Sequence, residues 1–297
     1  MLLNKRPPLS YLFNKIKLEL IYVATITLIV YFLTTRFEHL LPEMPLTIPT
    51  FIGTAISVIL SFKLSQSYDR WWEARKIWGG IVNDSRNFVL QLQSFLGAGN
   101  EQTIKQMALR QIAWCYCLGR SLRGLEPVDS IGKYLSHADL RSLEGHTNKP
   151  LGILQQNTAD LRQLREEGQL DVFSHVQLNN TMVNFTNWMG MAERIKSTVF
   201  PVTYRLFLHT IIYVFIIALS ISLRNVAGYF EIPLLLIIAS FFFLLERTAT
   251  HLQDPFSNKP TDTAMTAIAT TIEINIKQLL KETDVPNPHP ANEFYLM

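Results

Sequence analysis

Four long apolar runs constrain this chain more than any other feature of its sequence. They cover residues 18–33, 48–64, 206–223 and 232–245, in two pairs that each enclose a short turn. A helix needs about 20 apolar residues to cross the hydrocarbon core of a membrane, and these runs lie near the short end of the usual range. One or two of them could instead be buried core helices, but four paired runs are hard to bury in a soluble fold of this length. The sequence therefore predicts an all-α membrane protein with four transmembrane helices per subunit.

Basic residues indicate which ends of these helices lie in the cytoplasm. Four Lys or Arg residues precede the first run, and each of the two intervening turns holds a single one. Further basic residues follow the second run and precede the third. Because cytoplasmic loops carry the excess of Lys and Arg, both termini and the central segment are predicted to be cytoplasmic. No small-x-small cleavage site follows the first run, which is therefore interpreted as a retained anchor in the plasma (inner) membrane.

The apolar runs divide the chain into four predicted segments. Residues 1–64 hold an N-terminal segment and transmembrane helices 1 and 2, 65–205 form a large cytoplasmic helical domain, 206–245 hold transmembrane helices 3 and 4, and 246–297 form a cytoplasmic helix and an extended tail. The cytoplasmic domain is predicted to be helical because it lacks strand alternation. Breaks in its helices are predicted at the Gly79–Gly80 pair, at residues 97–100 and at the Glu126–Pro127 pair.

No pattern in the sequence points to a catalytic or metal site. The chain has no Gly-rich phosphate loop, no H-E-x-x-H motif and no G-x-S-x-G motif, so no catalytic residue is predicted and the protein is predicted not to be an enzyme. Cys115 and Cys117 lack nearby metal ligands and are predicted to be reduced core residues. A net charge of +3 is too small to indicate a nucleic-acid partner.

The polar and charged residues within the apolar runs help to distinguish a channel from a pump or transporter. The middles of the runs carry no Asp, Glu, Lys or Arg, which argues against a proton pump or transporter. A channel needs only a wet path, and small polar or apolar side chains can line it. His209 lies within the third run, where both a functional role and a plain hydrogen bond to a neighbour explain it.

The second run presents two adjoining stripes on one helix. Small polar side chains recur three or four positions apart, at Thr54, Ser57, Ser61 and Ser65. A mostly apolar stripe consists of Thr54, Val58 and Phe62. Spacing alone leaves both close helix packing and pore lining open for the small polar stripe. A pore on either stripe requires several copies of the chain around an axis.

Two short motifs follow the paired runs. Arg70, Trp71 and Trp72 come shortly after the second run, and Asp254, Pro255 and Phe256 come after the fourth. The Arg-Trp-Trp element resembles the one at the cytoplasmic end of the pore helix in the bestrophin family. The Asp-Pro-Phe element looks like that family's Asn/Asp-Pro-Phe element. Together with the four-segment layout, the resemblance covers nearly the whole chain.

The resemblance implies a bestrophin-like homopentamer in the lipid bilayer, with an axial pore for small inorganic ions. Registration on Arg-Trp-Trp places an apolar pore neck at Thr54, Val58 and Phe62. Animal members carry large apolar residues at all three levels, so this neck is predicted to be wider, with Phe62 as its main barrier. The family also has a cytoplasmic aperture, for which Val172 and Phe173 are the candidates and Val172 is preferred.

The same resemblance raises the question of calcium. In animal members the Asp-Pro-Phe-like element leads into an acidic calcium-binding loop. Residues 257–262 of this chain contain one carboxylate and a lysine, whereas calcium takes six to eight oxygen ligands. The calcium clasp is therefore interpreted as degraded, and no cofactor is predicted.

Passage of small monovalent ions, with chloride as the family default, is the predicted activity. A neck of Thr, Val and Phe has no ring of charge that selects the sign of the ion. A monovalent cation-selective channel of the same architecture is therefore the first alternative. A non-conducting membrane scaffold or interaction protein and a small-solute transporter are alternatives from other classes.

Overall fold

The computed structural model describes residues 5, 7–37, 44–129, 131–198, 201–223, 230–292 and 294–296. Within these ranges the chain forms nine helices and no β-sheet, so the predicted all-α fold is confirmed. The helices are α1 (Leu9–Arg36), α2 (Thr47–Phe95), α3 (Glu101–Leu122), α4 (His137–Leu143), α5 (Lys149–Glu166), α6 (Val172–Ser197), α7 (Val202–Leu223), α8 (Glu231–Gln253) and α9 (Met265–Leu279).

The predicted membrane helices are present in the structure. Among the described residues, α1, α2, α7 and α8 are long and apolar enough to cross a membrane. Each is longer than the apolar run that predicted it, and α2 has 49 residues. The chain divides into two compact units, and α2 contributes to both of them.

The first unit, called the membrane unit, comprises Lys5–Arg70 and Val199–Asp254. Helix α1 packs against α7 and α8, which also pack against each other. The core of the unit is made of aliphatic and aromatic side chains, among them Val23, Ile56, Leu60, Leu208, Ile212, Leu235 and Phe243. Large apolar side chains such as Phe32, Phe51 and Ile237 are exposed, which fits a unit surrounded by lipid or by sister subunits.

The second unit, called the helical unit, contains Trp71–Thr198 and Pro255–Met297. Helix α3 lies at its centre and packs against α5, α6 and α9. The largest buried side chains of the core include Trp78, Phe88, Met107, Trp114 and Phe185. Cys115 and Cys117 are buried and form no disulfide, which confirms that they are core residues. Their reduced state stays a prediction.

One predicted helix break is wrong and two are confirmed. Helix α2 runs without interruption through Gly79 and Gly80. A Cβ atom at residue 80 would lie 2.5 Å from the Trp188 ring, so this glycine allows close packing of α6 rather than a turn. The breaks at residues 97–100 and at the Glu126–Pro127 pair lie between helices, as predicted.

Candidate functional site

The predicted neck residues lie together on one exposed face of α2, here called the neck face: Thr54, Val58 and Phe62. Val58 is 51% exposed and Phe62 67% exposed. The Thr54 hydroxyl donates to the carbonyl of Thr50, at 2.9 Å, so its hydrogen-bonding need is met inside the helix. The opposite face of α2 carries Ile56, which is fully buried in the core of the membrane unit. The neck face is therefore the side of α2 that this subunit leaves uncovered.

The small polar stripe is uncovered as well. Ser57, Ser61 and Ser65 are all exposed in the single chain, so the stripe is not used for packing within the subunit. The Ser57 hydroxyl donates to the carbonyl of Gly53, at 2.8 Å. The close helix approach on α2 occurs at Gly53 itself, where a Cβ atom would lie 2.9 Å from the Phe215 ring of α7.

A buried ion pair holds α2 to α8 directly behind the neck face. The Lys63 ammonium lies 2.7 Å from Oε1 of Glu246 and donates to the Thr250 hydroxyl at 3.0 Å. The side chains of Lys63 and Glu246 are 1% and 0% exposed. Nε2 of His209 on α7 lies 3.1 Å from the other carboxylate oxygen of Glu246. One carboxylate therefore joins three helices of the membrane unit.

A second ion pair, between Arg247 and Glu19, ties α8 to α1. The Tyr204 hydroxyl donates to the carbonyl of Ile59, at 3.3 Å, and so joins α7 to α2. Sequence reasoning missed these contacts because it considered charges only in the middles of the apolar runs. Lys63 and Glu246 lie at the ends of their runs. Opposite charges at the ends of the second and fourth runs were the signal that could have revealed the pair.

Each motif that carries the resemblance makes backbone contacts. Arg70 Nε donates to the carbonyl of Gln253, at 2.9 Å, and so satisfies the last turn of α8 within the membrane unit. In the helical unit, Trp71 Nε1 donates to the carbonyl of Thr261 at 3.0 Å. Trp72 stacks obliquely beside Trp71 and is about half exposed.

The Asp-Pro-Phe element forms the turn that follows α8. Asp254 is the C-cap residue of this helix. The carbonyl of Pro255 accepts a hydrogen bond from the Thr263 backbone, and Phe256 is fully buried in the helical unit. These contacts give the two motifs a structural role: the first holds the middle of α2 to the backbone around it, and the second shapes the chain after the end of α8.

The aperture candidates lie at the start of α6. Val172 is 59% exposed and Phe173 is 88% exposed. Asp171 caps the helix by accepting hydrogen bonds from the backbone N–H groups of Phe173, at 2.9 Å, and Ser174, at 3.1 Å. Hydrogen bonds from the hydroxyl and backbone of Ser174 hold the pKa of Asp171 below its ordinary value. The cap thus fixes the start of α6 and with it the positions of Val172 and Phe173.

The loop at residues 257–262 directs its carboxylate into the helical unit. Asp262 is buried and accepts a hydrogen bond from Ser257 at 3.3 Å. Burial lowers the pKa of the Arg123 guanidinium, and the charge of Asp262 opposes that shift. Among the described residues, no group of three or more His, Cys, Asp or Glu side chains could hold a metal ion. The expectation of a degraded calcium clasp stays a prediction.

Comparisons with known proteins cover most of the chain. Residues 9–278 match the sequence family described as bacterial/fungal bestrophin protein. The voltage-dependent anion channel-forming protein of Salmonella typhimurium is 30% identical over 281 residues, which are 94% of this chain and 90% of that protein. Its counterpart from Escherichia coli (strain K12) is 28% identical over 274 residues, 92% of this chain and 89% of that protein. A crystal structure of a bacterial bestrophin homologue from Klebsiella pneumoniae is 25% identical and superposes with a TM-score of 0.84, covering 90% of this chain and 99% of that one.

Proposed function

The chain belongs to the bacterial and fungal bestrophin family, and on that premise we propose that it is an oligomeric anion channel. The predicted resemblance is thereby confirmed. Members of this family are ion channels, so the prediction that the protein is not an enzyme is confirmed too. With four membrane-crossing helices and channel-forming relatives, it is a multi-pass membrane protein.

The observation that carries the proposal is the uncovered neck face of α2. Lipid-facing helices need only apolar side chains, whereas the uncovered side of α2 combines Val58 and Phe62 with hydroxyls of Thr54, Ser57 and Ser61. A face of this kind suits a narrow path that is partly wetted and partly apolar. Relatives that match about nine-tenths of this chain carry the name voltage-dependent anion channel-forming protein, which favours anions as the permeant species.

The finer assignment follows the bestrophin family. Five copies surround one axis, the neck face of each lines the pore, and Phe62 forms the narrowest level. Val172, or failing that Phe173, forms the cytoplasmic aperture at the start of α6. Ser57 and Ser61 then pack against the neighbouring subunit. Chloride is the default ion, and calcium is not required.

The proposed location is the plasma (inner) membrane, with both termini in the cytoplasm. Basic residues cluster at the ends of the apolar helices that would face inward, as the positive-inside rule requires. The small ions on either side and the surrounding lipid are the partners of this arrangement, beside the sister subunits.

The reversal potential of the purified protein in a planar bilayer under a KCl gradient tests this function. A reversal near the chloride potential is expected for an anion channel. A reversal near the potassium potential would instead establish the cation-selective alternative, with the same pore. A silent protein, intact by size exclusion and silent also as Phe62→Ala, would favour the non-conducting scaffold.

A further inference from the structure

Five ionisable side chains of the membrane unit form ion-pair contacts that meet at neighbouring residues of α8, and they are here called the charged cluster: Glu19, Lys63, His209, Glu246 and Arg247. We propose that His209 tunes the anion preference of the neck by changing the net charge of this cluster with pH. The inference rests on the proposed channel function and adds a specificity-determining residue to it.

The centre of the charged cluster is the buried carboxylate of Glu246. Its Oε1 atom lies 2.7 Å from the Lys63 ammonium and accepts a hydrogen bond from Thr250 at 2.8 Å. Its Oε2 atom lies 3.1 Å from Nε2 of His209. The side chain of His209 is 23% exposed in the single chain, so it is the least buried member of this contact.

The charges of the cluster cancel when His209 is neutral. Lys63 balances Glu246, and Arg247 balances Glu19 in a second ion pair. Further ionisable side chains lie on the same helices. The phenols of Tyr22 and Tyr213 carry no charge near neutral pH. His251 of α8, one turn beyond Arg247, is common to the wild type and to every His209 variant. Imidazole is the side chain that ordinarily changes charge between about pH 5 and 8. Protonation of His209 therefore takes the charged cluster from zero to one positive charge per subunit.

This charge would act on ions at the level of Phe62. Lys63 follows Phe62 directly, and successive residues of an α-helix point about 100° apart, so one faces outward while the other reaches Glu246. Charges surrounded by apolar groups are screened far less than charges in water. The neck side chains themselves carry no charge, so a charge buried behind them can determine whether the pore favours anions or cations. Each subunit around the axis contributes the same charge, so the effect on ions in the pore increases with the number of subunits.

Reversal potentials of the full-length protein at several pH values test the inference. Under a KCl gradient, we expect the reversal potential to move toward the chloride potential as the pH falls from about 8 to 5, the range in which imidazole titrates. The permeability ratio of chloride to potassium should rise several-fold. His209→Gln should hold the alkaline value throughout. His209→Lys should hold the acidic value throughout, because its charge persists across this range.

A matched control is His137→Gln, since His137 is an exposed residue of α4 in the helical unit. This variant should keep the pH dependence of the wild type. A wild-type reversal potential that does not change with pH overturns the inference and leaves the channel function standing. Full pH dependence in both His209 variants overturns it in the same way. A wild type that passes no current at any pH removes the proposed function and the inference together.

Discussion

Gly80 of α2 lies directly beneath the indole ring of Trp188 of α6. A Cβ atom at residue 80 would approach that ring to 2.5 Å. The indole N–H donates to the Asp84 carboxylate, at 2.7 Å, one turn further along α2. The ring is therefore fixed from two sides, and it cannot move away without losing a hydrogen bond.

Gly80→Ala should destabilise the helical unit by about 1–3 kcal/mol, the usual cost of an overpacked site. The matched control is Gly79→Ala. A Cβ atom there meets only the end of the flexible Arg75 side chain, at 3.7 Å. Because alanine favours a helix by up to about 1 kcal/mol over glycine, this variant should be neutral or stabilising. Thermal unfolding of the two variants in detergent measures the difference, and equal midpoints would contradict this packing.

Phe62→Ala should raise single-channel conductance, because it removes the bulkiest and most apolar side chain of the neck face. The matched control is Ser61→Ala on the adjoining stripe, which should leave conductance close to the wild-type value. Planar-bilayer recordings at fixed salt compare the two. An unchanged current in Phe62→Ala together with an altered one in Ser61→Ala would move the pore to the serine stripe.

The Lys63–Glu246 pair should show strong coupling in a double-mutant cycle. Either Lys63→Met or Glu246→Leu leaves a buried charge unpaired, at a cost of about 3–5 kcal/mol. The double variant should recover most of that loss, because apolar residues of similar size often replace a buried pair at little cost. Thermal unfolding of the four proteins gives the coupling energy. Losses that simply add would mean that the two side chains do not depend on each other.

The Lys63–Glu246 pair also shows where sequence reasoning stops. Periodicity and apolar length predicted the four membrane helices, because the membrane imposes those properties on every residue of a run. The pair joins residues 183 positions apart. Neither side chain is informative alone, and each stood at the end of a run, where a solvated charge is the ordinary reading. Only the packing of α2 against α8 shows that both are buried.

Gly79 and Gly80 illustrate the opposite failure. Two adjacent glycines usually interrupt a helix, and the local preference of the chain favoured that prediction. Tertiary contact with Trp188 overrode the preference, because α6 can approach α2 only where a side chain is missing. The neck positions, by contrast, came from the Arg-Trp-Trp motif. Spacing alone left two stripes open, and both are uncovered in the structure.

Asp139→Asn should destabilise the helical unit and weaken its response to acid. Burial raises the pKa of Asp139, but hydrogen bonds from Arg110 and Ser136 outweigh that effect and hold it below the ordinary value. A carboxyl group with a lowered pKa stabilises the fold above its unfolded-state pKa of about 4 and loses that contribution as the pH falls further. Removing the carboxylate should cost about 1.5–3 kcal/mol near pH 7, as expected for hydrogen bonds to a charged group.

Asp129→Asn is the matched control for that variant, because Asp129 pairs with Arg120 at the surface. Exposed pairs contribute about 0–1 kcal/mol, so the control should unfold close to the wild type and keep its acid sensitivity. Urea unfolding between about pH 3 and 7, the range that spans the titration of an aspartate, compares the three proteins. An Asp139→Asn variant with the same loss of stability in acid as the wild type would show that other carboxylates control it.

Cys115 and Cys117 should be inert toward alkylation until the helical unit unfolds. Burial raises the pKa of each thiol to about 12, so almost none is present as the reactive thiolate at pH 8. Both side chains are also closed to a reagent, because neither is exposed. Intact mass after treatment with N-ethylmaleimide should show no adduct on the folded protein and two adducts in denaturant.

That inertness makes the wild-type chain a suitable background for locating the pore. Val58→Cys places a thiol on the neck face, where a charged methanethiosulfonate reagent should modify it and reduce the current. Leu60→Cys, two residues along the same helix but buried in the core of the membrane unit, should neither react nor change the current. Because lipid excludes the charged reagent, modification at residue 58 requires contact with water. A thiol at residue 58 that stays unmodified while the protein conducts would place the neck face against lipid or a sister subunit, and the pore elsewhere.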